Sequence, residues 1–143
     1  MRLLESGRVS RTRGQASVEL AFLVPIGLAI VFSVLGVARL TTAAIGVSAV
    51  VRESARAGAA GDTASDAWQR AYTRGQQVAS EDGLHSAKLN LQVDTSDFGP
   101  AGQVRTSATY TVSLVDVPYL GLGQVKLSRW HSEPVGTYRG LGT

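Results

Sequence analysis

The chain contains no cysteine, which excludes disulfide frameworks, thiolate zinc sites and thiol catalysis. It has only two histidines, His85 and His131, which are far apart and have no metal-binding motif around them. No serine has a histidine and an acid at a spacing typical of a hydrolase. We therefore predict neither an enzyme, nor a metal site, nor a bound cofactor.

A net charge is absent from most of the chain. The formal net charge of +3 is carried by the first 14 residues, which contain four arginines and one glutamate. From Gln15 onward, ten basic residues balance ten acidic residues. A nucleic-acid-binding protein needs a basic face on its folded part. The distribution of charge therefore predicts no nucleic-acid partner.

One long hydrophobic run is present, "LAFLVPIGLAIVFSVLGVA" at residues 20–38, which contains nineteen residues and no charge. As an α-helix it would be about 28 Å long, close to the roughly 30 Å hydrocarbon core of a bilayer. Basic residues are dense before the run and sparse after it. This asymmetry predicts a single membrane pass with the N-terminus in the cytoplasm and the C-terminus outside.

The run alone allows three interpretations. It fits a secretory signal cleaved after a small-residue motif such as residues 42–44, although a signal core usually has only about 7 to 15 apolar residues. It also fits an uncleaved membrane anchor. The third interpretation is a prepilin leader, in which the basic peptide is removed in the cytoplasm and the apolar helix stays in the mature protein.

Glu19, at the edge of the run, favours the third interpretation, because a charge at the centre of a membrane helix costs about 2.5 to 3.5 kcal/mol. Cleavage between Gly14 and Gln15 would create an α-ammonium group and make Glu19 the fifth residue. Two unit charges about 4 Å apart attract by about 4 kcal/mol at an effective dielectric of about 20. In staggered helices, the amine of one subunit can then meet the glutamate of its neighbour. Without a cut, Glu19 is simply an acid near a helix N-terminus.

The pattern after the run predicts two helices. Apolar spacing continues without proline, so we expect one long helix over residues 15–60, ended by Gly61. A second helix is expected from Thr63 to Ser80, with Asp62 or Thr63 as its N-cap. Small residues recur at four-residue steps along the first helix. They would allow close packing either against another membrane helix or against the chain's own outer part.

The hydrophobic period then changes from helical to alternating. Residues 88–94, 104–117 and 125–130 alternate apolar and polar side chains, which predicts a three-stranded antiparallel sheet with one apolar face. The tail at 133–143 has no period and is expected to fray. The predicted fold is α+β, with a membrane-spanning stem and a head at 61–143.

The residues "RGQASVELAFLVPIGL" resemble the N-terminus of TadE-like proteins of tight adherence (Tad/Flp, type IVc) pili. Gly14 and Glu19 match the class III signal of type IV pilin-like proteins, and a proline midway through the run, Pro25, is similar to the TadE-like pattern. The resemblance covers residues 11–38. The layout of a helical stem with a small α+β head also resembles pilin-like proteins generally.

The resemblance implies that residues 1–14 are a leader removed by a prepilin peptidase, which leaves Gln15 as the new N-terminus. It further implies packing with other pilin subunits and contact with the Tad inner-membrane assembly platform, followed by display on the pilus at the cell surface. Major Flp pilins, by contrast, resemble short helical peptides with a tyrosine after the glutamate. Here Leu20 follows Glu19 and a folded region comes afterward, which favours a minor pilin or pseudopilin.

Two points stay open in the sequence. An alternative function is a single-pass anchored envelope protein whose outer domain binds a partner. Pro25 is expected to kink the apolar helix, because proline leaves the carbonyl of Ala21 without its helical donor, and membrane helices tolerate this. The alternative is a functional role, in which local loosening at Pro25 helps the helix leave the bilayer for a filament.

Overall fold

The computed structural model describes residues 10–115 and 123–136, with side chains from residue 17 onward. These residues form two helices, a short 3-10 turn and three strands. Their bounds are α1 Ser10–Ala59, α2 Ala64–Glu81, the turn Ser86–Lys88, β1 Leu89–Asp94, β2 Gln103–Ser113 and β3 Gln124–Pro134. The sheet order is β1-β2-β3, with both pairs antiparallel. The predicted α+β fold and meander are confirmed.

Helix α1 spans Ser10–Ala59 and so includes residues before the predicted start at Gln15. Gly14 does not stop it, since one glycine inside a helix costs only about 1 kcal/mol. Helix α1 ends at Ala59, close to Gly61, which was predicted to end it. The N–H of Gly61 donates to the carbonyl of Gly58 at 2.9 Å, and a Cβ at Gly61 would lie 2.6 Å from the backbone nitrogen of Ala67. The turn into α2 therefore needs glycine at this position.

The outer half of α1 and α2 both pack on one face of the sheet. The alternation in β2 places Val104, Thr106 and Ala108 in the core and turns the residues between them outward. From α1, Val47 and Val50 are fully buried against this face. Thr106 Oγ1 also donates to the carbonyl of Val51 at 2.6 Å, which ties the centre of the sheet to α1.

The strip of small residues on α1 faces the chain's own head. Ser54 Oγ donates to the carbonyl of Ala71 on α2 at 2.6 Å. A Cβ at Gly58 would come within 2.9 Å of Val104 Cγ1, and a Cβ at Gly75 within 2.5 Å of Leu91 Cδ2. Of the two packing alternatives that the sequence left open, the contact with the chain's own outer part is the correct one for this part of α1.

Helix α2 starts with a reciprocal cap. The N–H of Asp66 donates to Thr63 Oγ1 at 3.2 Å, and the N–H of Asp62 donates to Asp66 Oδ2 at 3.0 Å. Thr63 is thus the N-cap, one of the two residues predicted for it. Arg70 Nε donates to Asp66 Oδ2 at 2.7 Å, and this bond is the main reason that the pKa of Asp66 lies below its usual value.

The depressed pKa of Asp66 predicts a stability difference that depends on pH. A carboxyl group whose pKa is lowered by folding stabilises the folded state above its unfolded pKa of 3.8 and loses this effect as the pH falls through the folded value. We expect wild type to exceed Asp66→Asn in urea midpoint at neutral pH, and the gap to close below pH 3.8. Urea titrations of both proteins at several pH values check this. A gap that does not depend on pH would contradict it.

The predicted C-terminal boundary is wrong. Strand β3 continues to Pro134, and Val135 is buried, although fraying was expected from Glu133. The N–H of Val135 donates to the carbonyl of Gly102 at 2.9 Å, and its side chain joins a small apolar cluster with Ala67 and Val104. At the other end of the hairpin, β2 stops at Ser113. Residues 1–9, 116–122 and 137–143, which include most of the predicted leader and the last residues of the tail, lie outside the described residues.

Candidate functional site

The candidate site is the exposed stem, which we define as residues 18–31 of α1. Its large apolar side chains are exposed on every side of the helix rather than along one face. The exposed fractions are Val18 58%, Leu20 62%, Phe22 70%, Leu23 57%, Val24 49%, Ile26 58%, Leu28 42%, Ile30 61% and Val31 54%. A helix that is apolar all round needs lipid or other helices as its surroundings.

Length and composition also suit a membrane. The most apolar window of α1 has a mean hydropathy of 2.6, and only 6% of it is buried within the chain. Just past the stem, Ser33 Oγ donates to the carbonyl of Ala29 at 2.7 Å, so its hydroxyl is satisfied inside the helix. The helix is long and apolar enough to be a single-pass membrane anchor, in agreement with the sequence analysis.

Gly14 and Gln15 both lie inside α1, close to its first residue, Ser10. The backbone at the predicted cut is thus helical, whereas a peptidase needs an extended strand of substrate. Cleavage there would require the first turns of α1 to unwind. Glycine lowers this cost by about 0.5 to 1 kcal/mol relative to alanine.

Glu19 is exposed one helical turn beyond Gln15. Residues four apart share a face of a helix, so the carboxylate and a new N-terminus at Gln15 would lie on the same side of α1. Among the side chains that the structure describes, the ion pairs join Arg70 or Arg74 to nearby acids and His131 to Glu133, and none involves Glu19. The carboxylate is accessible to a partner from outside this part of the chain.

Helix α1 continues across Pro25. The proline therefore does not divide the stem from the outer half, and the kink expected there remains a prediction. Since proline carries no N–H, the carbonyl of Ala21 has no donor at its helical position. The stem thus contains one backbone acceptor that water, a hydroxyl or a neighbouring helix can use.

The head covers part of the hydrophobic run, which the sequence analysis did not predict. Phe32 and Leu40 pack against the core cluster of the head, and Gly36, halfway between them, is buried. These residues are four apart and share one face. In a run where nearly every residue is apolar, that spacing gives no visible signal. Residues 20–38 are therefore not a uniform lipid-facing segment.

The described parts of the chain contain no cluster of acids and histidines suited to a metal. His131 Nε2 and Glu133 Oε2 lie 3.2 Å apart, as a simple pair on β3. The acidic segment at 94–97 leads from the end of β1 into a turn, where Asp94 Oδ1 accepts from the N–H of Ser96 at 2.9 Å. Hydrogen bonds from Ser96 lower the pKa of Asp94.

Comparison with protein-family models identifies a similarity in the N-terminal helix. Residues 14–56 match the profile of the TadE-like protein family. The match begins at Gly14, includes the exposed stem, and ends within the outer half of α1. It confirms the resemblance drawn from the N-terminal residues, over the part of the chain that contains Gly14 and Glu19. No curated protein and no solved structure matches the chain.

Proposed function

We propose that this TadE-like protein is a minor pilin or pseudopilin of a tight adherence pilus. It is inserted in the cytoplasmic membrane through α1 and cut by a prepilin peptidase between Gly14 and Gln15. The assembly platform then moves it from the membrane into a filament, where it contributes to assembly, initiation or the tip. The observation that carries this proposal is the coincidence of the family match with an apolar stem exposed on all sides.

The stem suits both environments that such a subunit meets. Lipid surrounds a single helix in the membrane, whereas other apolar helices surround it in a filament core. Both satisfy side chains that are apolar on every face. Among the described residues, those of the head pack on α1 from Phe32 outward, and the large apolar side chains of residues 18–31 are exposed for these contacts.

Glu19 supplies the register in this proposal. Once Gln15 carries a free amine, the glutamate of one subunit can pair with the amine of another across staggered helices. The attraction of about 4 kcal/mol at an effective dielectric of about 20 is comparable with the cost of placing the carboxylate in an apolar interface. Pairing would thus favour one axial offset between helices over its neighbours.

The test is the mass of the mature protein. Wild-type chain isolated from membranes of cells with the prepilin peptidase is expected to lack residues 1–14. The variant Gly14→Val is expected to keep them, because a β-branched side chain obstructs the cut and stiffens the backbone. Intact-mass spectrometry distinguishes the two forms.

Gly27→Val is the matched control, since it makes the same change in the same helix away from the cut, where no heavy atom lies within 4 Å of the added Cβ. It is expected to be processed like wild type. A wild-type chain that keeps residues 1–14 in those cells would contradict the pilin proposal and favour the anchored envelope protein. A chain beginning near residue 45 would instead indicate an ordinary secretory signal.

A further inference from the structure

Strand β2 runs along α1 toward the hydrophobic run. Near one end of the strand, Thr106 Oγ1 donates to the carbonyl of Val51 at 2.6 Å. Just beyond the other end, Leu114 is buried in the core cluster against which Phe32 packs. The residue numbers rise along β2 as they fall along α1, so the two elements are antiparallel.

This direction sets the height of the head above the stem. The segment from Thr106 to Leu114 covers about 26 Å at roughly 3.3 Å per residue, which equals the rise of about 17 helical residues. Counted back from Val51, Leu114 reaches the level of about residue 34, which lies near Phe32, a residue that packs against the same core cluster. That level lies inside the charge-free run and below Arg39.

Among the residues that the structure describes, three exposed ones lie near this end of the head, and we call them the lower edge: Val115, Lys88 and Lys126. Val115 is 68% exposed and follows Leu114 directly. The two lysines are the only ones in the chain, and they line one groove on the outer face of the sheet.

The lysines lie slightly higher than Val115. Lys126 pairs with Thr111 in the β2–β3 register, about 10 Å farther from the run than Leu114 at roughly 3.3 Å per residue. This is the level of Arg39, where the charge-free run ends. The arrangement places an apolar residue below cations, which is the order of acyl chains and phosphates in a lipid leaflet.

A nearby carboxylate lies farther out. Asp82 adjoins Gly46, since its Oδ2 would be 3.5 Å from a Cβ at that glycine. Gly46 is about 10 Å farther from the run than Arg39 at about 1.5 Å per residue. This carboxylate therefore does not offset the lysines at the level of the lipid phosphates.

We propose that the lower edge lies in the outer lipid interface of the membrane that α1 crosses. Lys88 and Lys126 contact headgroup phosphates, and Val115 reaches the acyl boundary beneath them. The head thus rests on the membrane instead of standing clear of it, and these contacts must break when the subunit is extracted. This inference rests on the membrane insertion in the proposed function, but not on processing or pilus assembly.

The absence of cysteine allows a direct test of depth. Full-length Val115→Cys, carrying an environment-sensitive dye, is reconstituted in vesicles of phosphatidylethanolamine and phosphatidylglycerol with or without brominated acyl chains. Ser65→Cys, exposed at the opposite end of the head, is the matched control. Leu23→Cys in the exposed stem reports insertion of α1. We expect blue-shifted emission and quenching by brominated lipid at 115 and 23, with neither at 65.

Each result has a distinct meaning. Quenching at 23 with water-like emission at 115 would overturn the inference while leaving the membrane anchor intact. Absence of quenching at 23 would instead contradict insertion itself and, with it, the docked head. A blue shift at 115 that brominated lipid does not quench, and that disappears on dilution with excess lipid, would assign the lower edge to a second copy and overturn lipid docking.

The lysines have their own readout. Replacing both Lys88 and Lys126 with glutamine is expected to reduce quenching at 115 several-fold in anionic vesicles. The two substitutions remove charge from exposed positions, so the folded head is retained. Unchanged quenching in the double variant would overturn the assigned contact with headgroup phosphates.

Discussion

Replacing Glu19 with alanine is expected to abolish incorporation into filaments while leaving membrane insertion and cleavage intact. Alanine removes a charge from the edge of the apolar run, so insertion becomes easier. In the assembled state, however, the amine at Gln15 of a neighbour would be left in an apolar interface without a counter-ion. The lost attraction of about 4 kcal/mol corresponds to a reduction in incorporation of about a thousand-fold.

The measurement compares the subunit recovered in sheared filaments with the subunit left in the membrane. Glu53→Ala is the matched control, because it removes a carboxylate from the same helix outside the stem. That carboxylate lies 3.9 Å from Arg74 in an exposed pair, a type of interaction that contributes little. Normal incorporation of Glu19→Ala into filaments would contradict the pairing model. If neither Glu19→Ala nor Glu53→Ala were incorporated, the cause would be a general effect of removing a carboxylate from α1 and not the loss of pairing at Glu19.

Replacing Gly58 with leucine is expected to lower the free energy of unfolding of the head by about 1–3 kcal/mol. A Cβ at this position would lie 2.9 Å from Val104 Cγ1, 3.0 Å from Ala71 Cβ and 3.2 Å from the carbonyl oxygen of Ala67. The leucine side chain needs still more room. It therefore must push α1 away from both α2 and the sheet.

Urea unfolding of the full chain in detergent, followed by the fluorescence of Trp68 and Trp130, measures this loss. Gly27→Leu is the matched control, because it gives the same gain in helix propensity and has no heavy atom within 4 Å of its Cβ. The difference in the free energy of unfolding between the two variants therefore measures the cost of overpacking at Gly58. Equal urea midpoints for the two variants would show that the stability of the head does not depend on the close approach of α1 to α2 and the sheet at Gly58.

The main elements of the fold could be predicted because each has a distinct local signal. Helix α1 was predicted from an unbroken helical spacing ended by Gly61, but its residues before Gln15 were not included, because residues 1–14 were assigned to the leader. The strands were predicted from their alternation. The end of β3 was missed because Pro134 and Val135 carry no alternating pattern, and Val135 is held by a hydrogen bond to distant Gly102.

Some residues of the candidate site could also be identified from the sequence, and others could not. Gly14, Glu19 and Pro25 could be selected from their order in the sequence, because a membrane run and a charge beside it are local features. Processing and pairing at these residues remain predictions. The placement of Phe32 beneath the head could not be predicted, since its burial depends on a strand that begins far along the chain.

The sequence by itself determined the apolar run, the charge at its edge, the two helices and the sheet, because periodicity and charge act between near neighbours. Only the tertiary structure decided that the small residues of α1 face α2 and the sheet, and that the head reaches down to Phe32. These features depend on the direction of β2 along α1, which is fixed by contacts such as that between Thr106 and Val51. Contacts between residues so distant in the chain leave no periodic trace in the sequence.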